Sequence, residues 1–96
     1  MISKEKIHSI ALEYLRKKQR SFLELSKPEE VRLREDHEIL YGDRAGERTD
    51  LFIVEYTVQV GLSEEGVLIY IDAYTGEVLY SMSATSWIED IERSNE

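Results

Sequence analysis

The sequence predicts an α+β domain in which an N-terminal helix packs on a mostly antiparallel sheet, a meander of about four strands, with a short C-terminal helix. Two patterns favour this class. The first is a helical apolar stripe near the N-terminus, and the second is a pair of runs after residue 50 in which apolar and polar residues alternate. A chain of 96 residues, 42% of them hydrophobic, is the size of one domain, so residues 1–96 are expected to form a single unit.

The first predicted element is an amphipathic helix. Ser3 is a candidate N-cap, and Ile2 and Ile7 flank it at the spacing of a hydrophobic staple. Apolar residues then fall at positions 7, 10, 11, 14 and 15, which form one stripe along a helix. Basic residues follow between positions 16 and 20, where they complement the negative end of the helix dipole. Pro28 ends the segment that precedes it.

The apolar period changes to two after Pro28. Val31 and Leu33 alternate with arginines, as in a half-buried strand, and Ile39–Tyr41 is predicted to continue this strand after a polar break at Glu35–Glu38. The polar stretch from residue 43 to residue 50 contains glycine and is predicted to be a loop.

Two longer strands follow the loop. Alternation over residues 52–60 and again over residues 67–73 predicts a hairpin whose turn is Gly61–Gly66. We expect Val60 to lie opposite Val67, because this register puts both apolar sets on one face. The other face carries apolar side chains as well, so it is either covered by the terminal helix or a binding surface; these residues are Leu51, Ile53, Leu68, Tyr70 and Leu79.

The chain is then predicted to turn at Ala73–Gly76, with Gly76 in a left-handed conformation, and to form a strand at Glu77–Met82. Whether Leu79 or its neighbours face the core depends on a bulge that the sequence leaves open. Ser86–Glu89 has the spacing of a capping box and predicts the short C-terminal helix.

Charge is divided unevenly along the chain. Residues 1–34 hold nine Lys or Arg and five Asp or Glu, residues 35–96 hold three and fifteen, and the net charge is −8. An acidic field repels nucleic acids and anionic membranes and attracts basic protein surfaces, although a charge of this size also serves solubility alone. We therefore expect a protein partner, with no nucleic acid and no membrane.

The expected location is cytoplasmic. The longest apolar run, Val67–Ile71, is much shorter than a transmembrane helix. Charged residues within the first six positions are not typical of a signal peptide.

The sequence offers little material for catalysis. Cysteine is absent, and two histidines nearly exhaust the usual zinc ligands. Glu35–Glu38 is a His-carboxylate cluster, but neighbours on a strand point to opposite faces, so we interpret it as a solvated bulge or turn. His8, beside the helical stripe, is interpreted as a partly buried structural residue. We expect no enzyme, metal or cofactor; the competing enzyme hypothesis rests on His37 with Glu35, or on His8.

Eight residues are candidate contacts for a protein partner. Acidic side chains in the long loop and at the hairpin tip suit a basic surface, and aromatic or apolar side chains beside them suit contact anchors. The candidates are Asp43, Glu47, Asp50, Glu64, Glu65, Leu68, Tyr70 and Tyr74. The alternatives are that the tyrosines only line the sheet edge, or that an uncovered sheet face joins two copies into a homodimer.

A family resemblance enters at the last hairpin. Ile69–Leu79, which reads Ile-Tyr-Ile-Asp-Ala-Tyr-Thr-Gly-Glu-Val-Leu, resembles the closing hairpin of PepSY domains. Ile10–Leu15 resembles their opening helix and Val54–Val58 their middle strand, so the likeness spans roughly residues 7–80. The resemblance implies a non-catalytic module that binds or inhibits another protein, often a peptidase, and it implies no catalytic residues.

The chain also differs from PepSY domains, which are commonly exported or attached to membrane or protease chains. Its predicted terminal helix, its size and its acidity are similar to small bacterial immunity proteins, whose sheet ends in a related Ile-Asp and Gly-Glu pattern. This second resemblance implies a cytoplasmic protein that neutralises a cognate bacterial toxin. The function expected first is a protein-binding or inhibitory module that acts by occupying its partner.

Overall fold

The computed structural model of the chain describes residues 1–19, 21–83 and 88–89. They form an α-helix, a short 3-10 helix and a six-stranded antiparallel sheet, which confirms the α+β class. The elements are α1 (Lys4–Lys17), β1 (Glu24–Leu25), the 3-10 helix (Pro28–Glu30), β2 (Arg32–Glu38), β3 (Arg48–Val60), β4 (Ser63–Asp72), β5 (Val78–Ser83) and β6 (Ile88–Glu89). The sheet has more strands than the four expected. The two additional strands, β1 and β6, are only two residues long and are too short to show an alternating pattern in the sequence.

Helix α1 begins as its sequence predicts. The Ser3 Oγ accepts the backbone N–H of Lys6 at 3.2 Å, which satisfies one N–H that has no partner within the helix. The buried residues of α1 are Ile7, Ala11, Tyr14 and Leu15, so the apolar stripe faces the sheet. The helix ends at Lys17, and Gln19 then takes a left-handed φ of 55°. Within the described residues, no helix is both long and apolar enough to cross a membrane.

The centre of the sheet is the long hairpin of β3 and β4. On one side, β1 and β2 pair in succession with different halves of β3, and on the other side β5 pairs with β4 and β6 with β5. Leu51 pairs with Asp72 at one end of this hairpin and Val60 with Ser63 at the other. Nine residue steps separate these pairs, which places the two ends roughly 30 Å apart.

The turn of this hairpin is tighter than expected. Val60 pairs with Ser63 rather than with Val67, so only Gly61 and Leu62 form the turn, and the predicted turn Gly61–Gly66 is wrong. The observed register differs by an even number of residues from the predicted one. Both apolar sets therefore still share a face, which is why the alternation alone could not reveal the error.

Strand β2 also differs from the prediction. It continues through the polar residues Glu35–Glu38, and Ile39–Tyr41 belongs to the following loop rather than to a strand. The pairing with β3 shifts between Arg34 and His37, and Asp36 takes a φ of 49° there. Of the predicted bulge or turn at this cluster, the structure shows a bulge, which interrupts the strand without ending it.

Strand β5 contains the bulge that the sequence left open. Tyr70 pairs with Tyr80, but Ile71 pairs with Val78, so Leu79 has no partner across the ladder. The extra residue brings Leu79 and Tyr80 into one apolar cluster, while Val78 packs on the opposite face.

The two faces of the sheet carry separate apolar clusters. The first lies under α1 and combines the helix stripe with Phe52, Val54, Tyr56, Val67, Ile69 and Ile71. The second lies on the other face and consists of Ile39, Leu51, Ile53, Tyr70, Leu79 and Tyr80. Ile39 and Tyr41 come from the loop after β2, so this loop covers part of the face that was expected to be either under a terminal helix or free.

The predicted C-terminal helix falls largely outside the described residues. Two of its residues, Ile88 and Glu89, are described and form β6, which pairs with Met82 and Ser81 of β5. At these two positions the helix prediction is wrong.

Candidate functional site

The eight candidate contact residues lie in three different places. Asp43, Glu47, Asp50 and Tyr74 lie at the end of the sheet formed by residues 35–50 and 72–77, which we call the acidic end. Glu64 and Glu65 lie near the opposite end of the long hairpin. Leu68 and Tyr70 lie in β4, on the face away from α1. The structure therefore does not gather the eight residues into one surface.

The turn after β4 is built around the Asp72 carboxylate. Asp72 is 2% exposed, and its Oδ1 accepts the backbone N–H groups of Tyr74 at 2.8 Å and Thr75 at 3.1 Å. The Gly76 N–H donates to the Asp72 carbonyl at 3.0 Å, and Gly76 takes a φ of 77°, which confirms its predicted conformation. This hydrogen bonding fixes the conformation of residues 72–76.

Arg44 joins the loop after β2 to this turn. Its Nη1 lies 2.9 Å from Asp72 Oδ2 and 2.8 Å from Glu77 Oε1, and its Nε donates to Glu47 Oε1 at 2.9 Å. Glu47 and Glu77 raise the pKa of the guanidinium above its ordinary value, with Asp72 adding to them, so Arg44 stays charged. One cation thus clamps three carboxylates from two segments of the chain.

The Asp72 carboxyl is held in its charged form by this arrangement. Burial alone would raise its pKa, but the Tyr74 and Thr75 N–H groups together with Arg44 outweigh burial and lower the pKa below its usual range. The ion pair between Arg44 and Asp72 therefore depends on the negative charge of the Asp72 carboxylate.

A second connection ties the same turn to the start of β3. The Tyr74 hydroxyl donates a short hydrogen bond to Asp50 Oδ2, and Asp50 Oδ1 accepts the Asp36 N–H at 2.9 Å. The bond raises the pKa of the Tyr74 hydroxyl and, with the Asp36 N–H, lowers the pKa of Asp50. Ala73 also donates its backbone N–H to the Asp50 carbonyl at 3.0 Å. Asp50, expected as a contact for a partner, is thus engaged within the chain.

Tyr74 is exposed and yet held at both ends. The residue is 54% exposed, whereas its backbone N–H is bonded to Asp72 and its hydroxyl to Asp50. All six tyrosines of the sequence are described, and the other five are buried or half-buried, whereas Tyr74 is exposed. The hydroxyl bond to Asp50 restricts the rotamers of the exposed ring.

The surroundings of Tyr74 are strongly acidic. Residues 35–50 and 72–77 contain eight Asp or Glu and two Arg, a net charge of −6. Arg44 is occupied by its carboxylates, and Arg48 donates to the Asp36 carboxylate at 3.0 Å. The charge of this end therefore remains negative after its internal ion pairs are counted.

Glu64 and Glu65 lie in strand β4 rather than in the hairpin turn. Glu64 pairs with Gln59 and Glu65 with Val58, and the turn itself consists of Gly61 and a fully exposed Leu62. Most of the length of the hairpin separates Glu64 and Glu65 from Tyr74, so they cannot act on one small contact area together with Asp43, Glu47 and Asp50.

Tyr70 is buried, although it was expected as an exposed contact. It is 7% exposed, and its ring stacks on Tyr80 with the centroids 4.6 Å apart; Tyr41 packs edge-on against Tyr80 at 5.3 Å. Burial raises the pKa of Tyr70 and raises that of Tyr80 to about 12. Leu68, half-buried beside this cluster, is the part of the face that a partner could touch.

Each of the two histidines, His8 and His37, has a backbone carbonyl as a hydrogen-bond partner. His8 donates from Nε2 to the Ser26 carbonyl at 2.7 Å, and His37 donates from Nδ1 to the Glu38 carbonyl at 2.8 Å. Both are hydrogen-bonded to the backbone. Among residues 1–19, 21–83 and 88–89, no group of three or more acidic or histidine side chains is arranged to hold a metal ion.

Arg44 is the residue of this site that the sequence analysis missed. It is a basic residue in the middle of an acidic stretch, followed by Glu47, and the nearest other basic residue on either side is Arg34 or Arg48. A lone cation among carboxylates is a signal for an ion-pair centre, but its partners Asp72 and Glu77 lie about thirty residues away. Sequence alone gives no means to identify them.

No family model matches the chain, and no curated protein and no solved structure matches it.

Proposed function

We propose that the chain is a non-catalytic protein-binding module, PepSY-like in its mode of action, that occupies a basic surface of a protein partner with its acidic end. The observation that carries the proposal is Tyr74, an exposed ring held by Asp72 and Asp50 within a surface of net charge −6. Its partner would be bound by contact alone, with no reaction.

The Tyr74 ring suits the centre of such an interface. Tyrosine is enriched among residues that carry most of the binding energy, because it buries a large ring together with a polar group. Ordering a mobile side chain costs part of that energy, and the hydrogen bond from the Tyr74 hydroxyl to Asp50 lowers this cost before binding.

The acidic surroundings supply the rim. Charges at the edge of an interface act mainly on the rate of association, because they steer the partner during its approach. A net charge of −6 within one end of a small domain favours a basic partner over an acidic one.

A narrower form of the proposal is an immunity protein of the bacterial cytoplasm that neutralises a cognate toxin. The acidic end favours it, since a toxin that acts on a polyanionic substrate presents a basic surface. Under this form the acidic end would cover the surface that the toxin uses for its own substrate.

The test compares Tyr74→Ala with Tyr74→Phe. A partner is first isolated on the immobilised wild-type chain and then purified, and its association with each variant is measured at rising salt. We expect Tyr74→Ala to weaken binding by at least about tenfold, as for a central contact residue. Tyr74→Phe, which keeps the ring and loses the hydroxyl, should weaken it less, and both variants should keep a cooperative thermal transition.

Salt supplies the second measurement. The association rate should fall as the Debye length shrinks from about 10 Å toward 3 Å. A partner whose binding is unchanged by Tyr74→Ala and by salt would overturn the proposal and point to the half-buried Leu68 instead. For the immunity form, co-expression of the wild-type chain should relieve the toxicity of the partner, and Tyr74→Ala should not.

A further inference from the structure

The sheet face away from α1, which we call the open face, is covered only in part. The loop after β2 packs on it around Tyr80, whereas Leu68 of β4 and Met82 of β5 stay half-buried. Residues that pair directly across neighbouring strands lie on the same face, so the open face consists of rows of side chains. Glu55, Leu68 and Met82 form one such row, which we call the central row.

Positive charge lies on one side of the central row. Arg32 pairs with Ile53 and Arg34 with Leu51, and both partners belong to the second apolar cluster, so the two arginines lie on the open face. Both are exposed, and neither forms an ion pair with another described residue. Burial raises the pKa of Tyr70, and the charges of Arg32 and Arg34 act against this rise, so both lie within electrostatic reach of the Tyr70 hydroxyl.

Negative charge lies on the other side of the central row. Glu24 pairs with Thr57, two positions after Glu55, so it belongs to the same face. Glu55 Oε2 lies 2.6 Å from the place that a Cβ atom of residue 66 would take, and Gly66 is in the row of Thr57. The Glu55 carboxylate therefore leans toward Glu24. Both carboxylates belong to exposed residues, and neither forms an ion pair with another described residue.

The basic and acidic groups lie along one edge of β3. β4 occupies the other edge of β3, so β1 and β2 both pair on this one, β2 with its first half and β1 with its second. Arg32 is in the row two positions before Glu55, and Glu24 is in the row two positions after it. A rotation of 180° about the central row therefore exchanges the places of Arg32 and Glu24.

We propose that the open face joins two copies of this chain into a symmetric dimer whose two-fold axis runs along the central row. Leu68 and Met82 then pack against the same residues of the other copy. Arg32 of each copy lies opposite Glu24 of the other, so opposite charges meet on both sides of the axis. The two Glu55 carboxylates avoid each other, because each leans away from the axis and toward the arginine of the other copy.

The extent of this contact indicates a weak dimer. About four strands and four rows take part, which gives roughly 20 Å by 20 Å on each copy, the lower end of the range for protein interfaces. Tyr74 follows the end of β4 and lies beyond these rows, so the inference does not rest on the proposed function.

Sedimentation velocity of the full-length chain tests the dimer. Between about 10 μM and about 1 mM, the wild-type chain should change from monomer to dimer, as suits a small interface. Leu68→Glu places a charge on the two-fold axis and should abolish the dimer. Leu62→Glu makes the same change at the exposed hairpin turn and should leave it intact. A wild-type chain that stays monomeric at the highest concentration, or equal loss in both variants, would overturn the proposal.

Mixing two charge variants tests the symmetry. Arg32→Glu brings like charges together on both sides of the axis, and so does Glu24→Arg, so each alone should weaken the dimer at least about tenfold. An equimolar mixture of the two should dimerise again, because in the mixed dimer both contacts join opposite charges.

A control separates this pairing from net charge. Arg32→Glu combined with Glu13→Arg in one chain restores the net charge at an exposed position of α1, on the other face of the sheet, and should not restore the dimer. Each variant should keep a cooperative thermal transition. If the mixture stays monomeric, or if the Glu13→Arg control dimerises as well as the mixture, the two-fold arrangement is excluded.

Discussion

Gly61 and Gly76 both have a positive φ, but their surroundings differ. Gly61 has a φ of 60° and Gly76 a φ of 77°, where a Cβ atom costs about 1 to 2 kcal/mol. A Cβ added at Gly61 meets nothing within 4 Å, whereas at Gly76 it would lie 2.9 Å from Ile10 Cδ1 and 3.2 Å from Ile2 Cδ1. Of these two positions, only Gly76 therefore disfavours a larger side chain through packing as well as through backbone conformation.

We expect Gly76→Ala to destabilise the fold by roughly 1 kcal/mol more than Gly61→Ala, since overfilling a packed site adds to the backbone strain. Urea unfolding followed by circular dichroism measures both free energies. Gly61→Ala is the matched control, and equal midpoints for the two variants would contradict the packing at Gly76.

At the scale of elements, the loop after β2 buries Ile39 in the second apolar cluster and leaves the next residue, Leu40, largely in solvent. Ile39 is fully buried, and its backbone is tied to the far side of the loop by bonds from its N–H to the Glu47 carbonyl and from the Gly46 N–H to its own carbonyl. Leu40 is 46% exposed. The loop is therefore part of the core and does not simply connect two strands.

Ile39→Ala should cost about 2 to 5 kcal/mol of unfolding free energy, the range for large-to-small changes in a core. Leu40→Ala should cost less than about 0.5 kcal/mol, as is usual for an exposed position. Chemical denaturation compares them, and similar losses for both would show that Ile39 does not hold the loop against the sheet.

The Arg44 clamp predicts a loss of stability in acid. The pKa of Asp72 is lowered in the folded chain, so its contribution is present above the unfolded value of about 4 and is lost as pH falls through the folded value. Thermal unfolding at several pH values should show wild type and Asp72→Asn converging below about pH 4. Glu64→Gln, which removes a carboxylate at the opposite end, is the control; a gap between wild type and Asp72→Asn that persists unchanged in acid would exclude the charged clamp.

The stacked tyrosines predict the opposite dependence in alkali. The pKa of Tyr80 is raised to about 12 in the folded chain, so stability is complete below the ordinary value of about 10 and falls as pH rises toward 12. Tyr80→Phe should lose less stability than wild type over this interval. Parallel curves for the two proteins would mean that the Tyr80 hydroxyl ionises as readily in the fold as outside it.

For the whole molecule, the distance between the acidic end and the Gly61–Leu62 turn decides which charges would act on a partner bound as proposed. The acidic end and this turn lie roughly 30 Å apart along the hairpin, about three Debye lengths at 0.1 M salt. A partner docked on Tyr74, as proposed, would therefore be largely screened from the charges of Glu64 and Glu65, which lie in β4 near this turn.

Two pairs of substitutions that each remove two negative charges test this separation. Glu35→Gln with Asp43→Asn, both at the acidic end, should slow association with the partner several-fold. Glu64→Gln with Glu65→Gln should leave the rate within about twofold at 0.1 M salt. Equal slowing by both pairs would show that the partner also covers the far end of the hairpin.

Local patterns in the sequence were sufficient to predict most helices and strands, but not the strand register or the contacts between distant segments. The stripe of α1, the Ser3 cap and Gly76 were predictable because each depends on residues within one turn. The hairpin register was not, because a shift by an even number of residues preserves the alternating pattern. The Arg44 clamp and the burial of Tyr70 depend on contacts between distant segments, about which a single sequence carries no direct information.

The bulge in β2 has a consequence for how the molecule behaves in concentrated solution. Within the described sheet, β2 pairs only with β3, so its other edge carries backbone groups that another chain could pair with. The left-handed Asp36 breaks the regular spacing of that edge, and charged side chains at Arg32, Arg34 and Glu38 surround the break. Irregular, charged edges are poor templates for strand addition. The same kink that brings the Asp36 carboxylate to Arg48 thus makes the β2 edge a poor template for the addition of a strand from another chain.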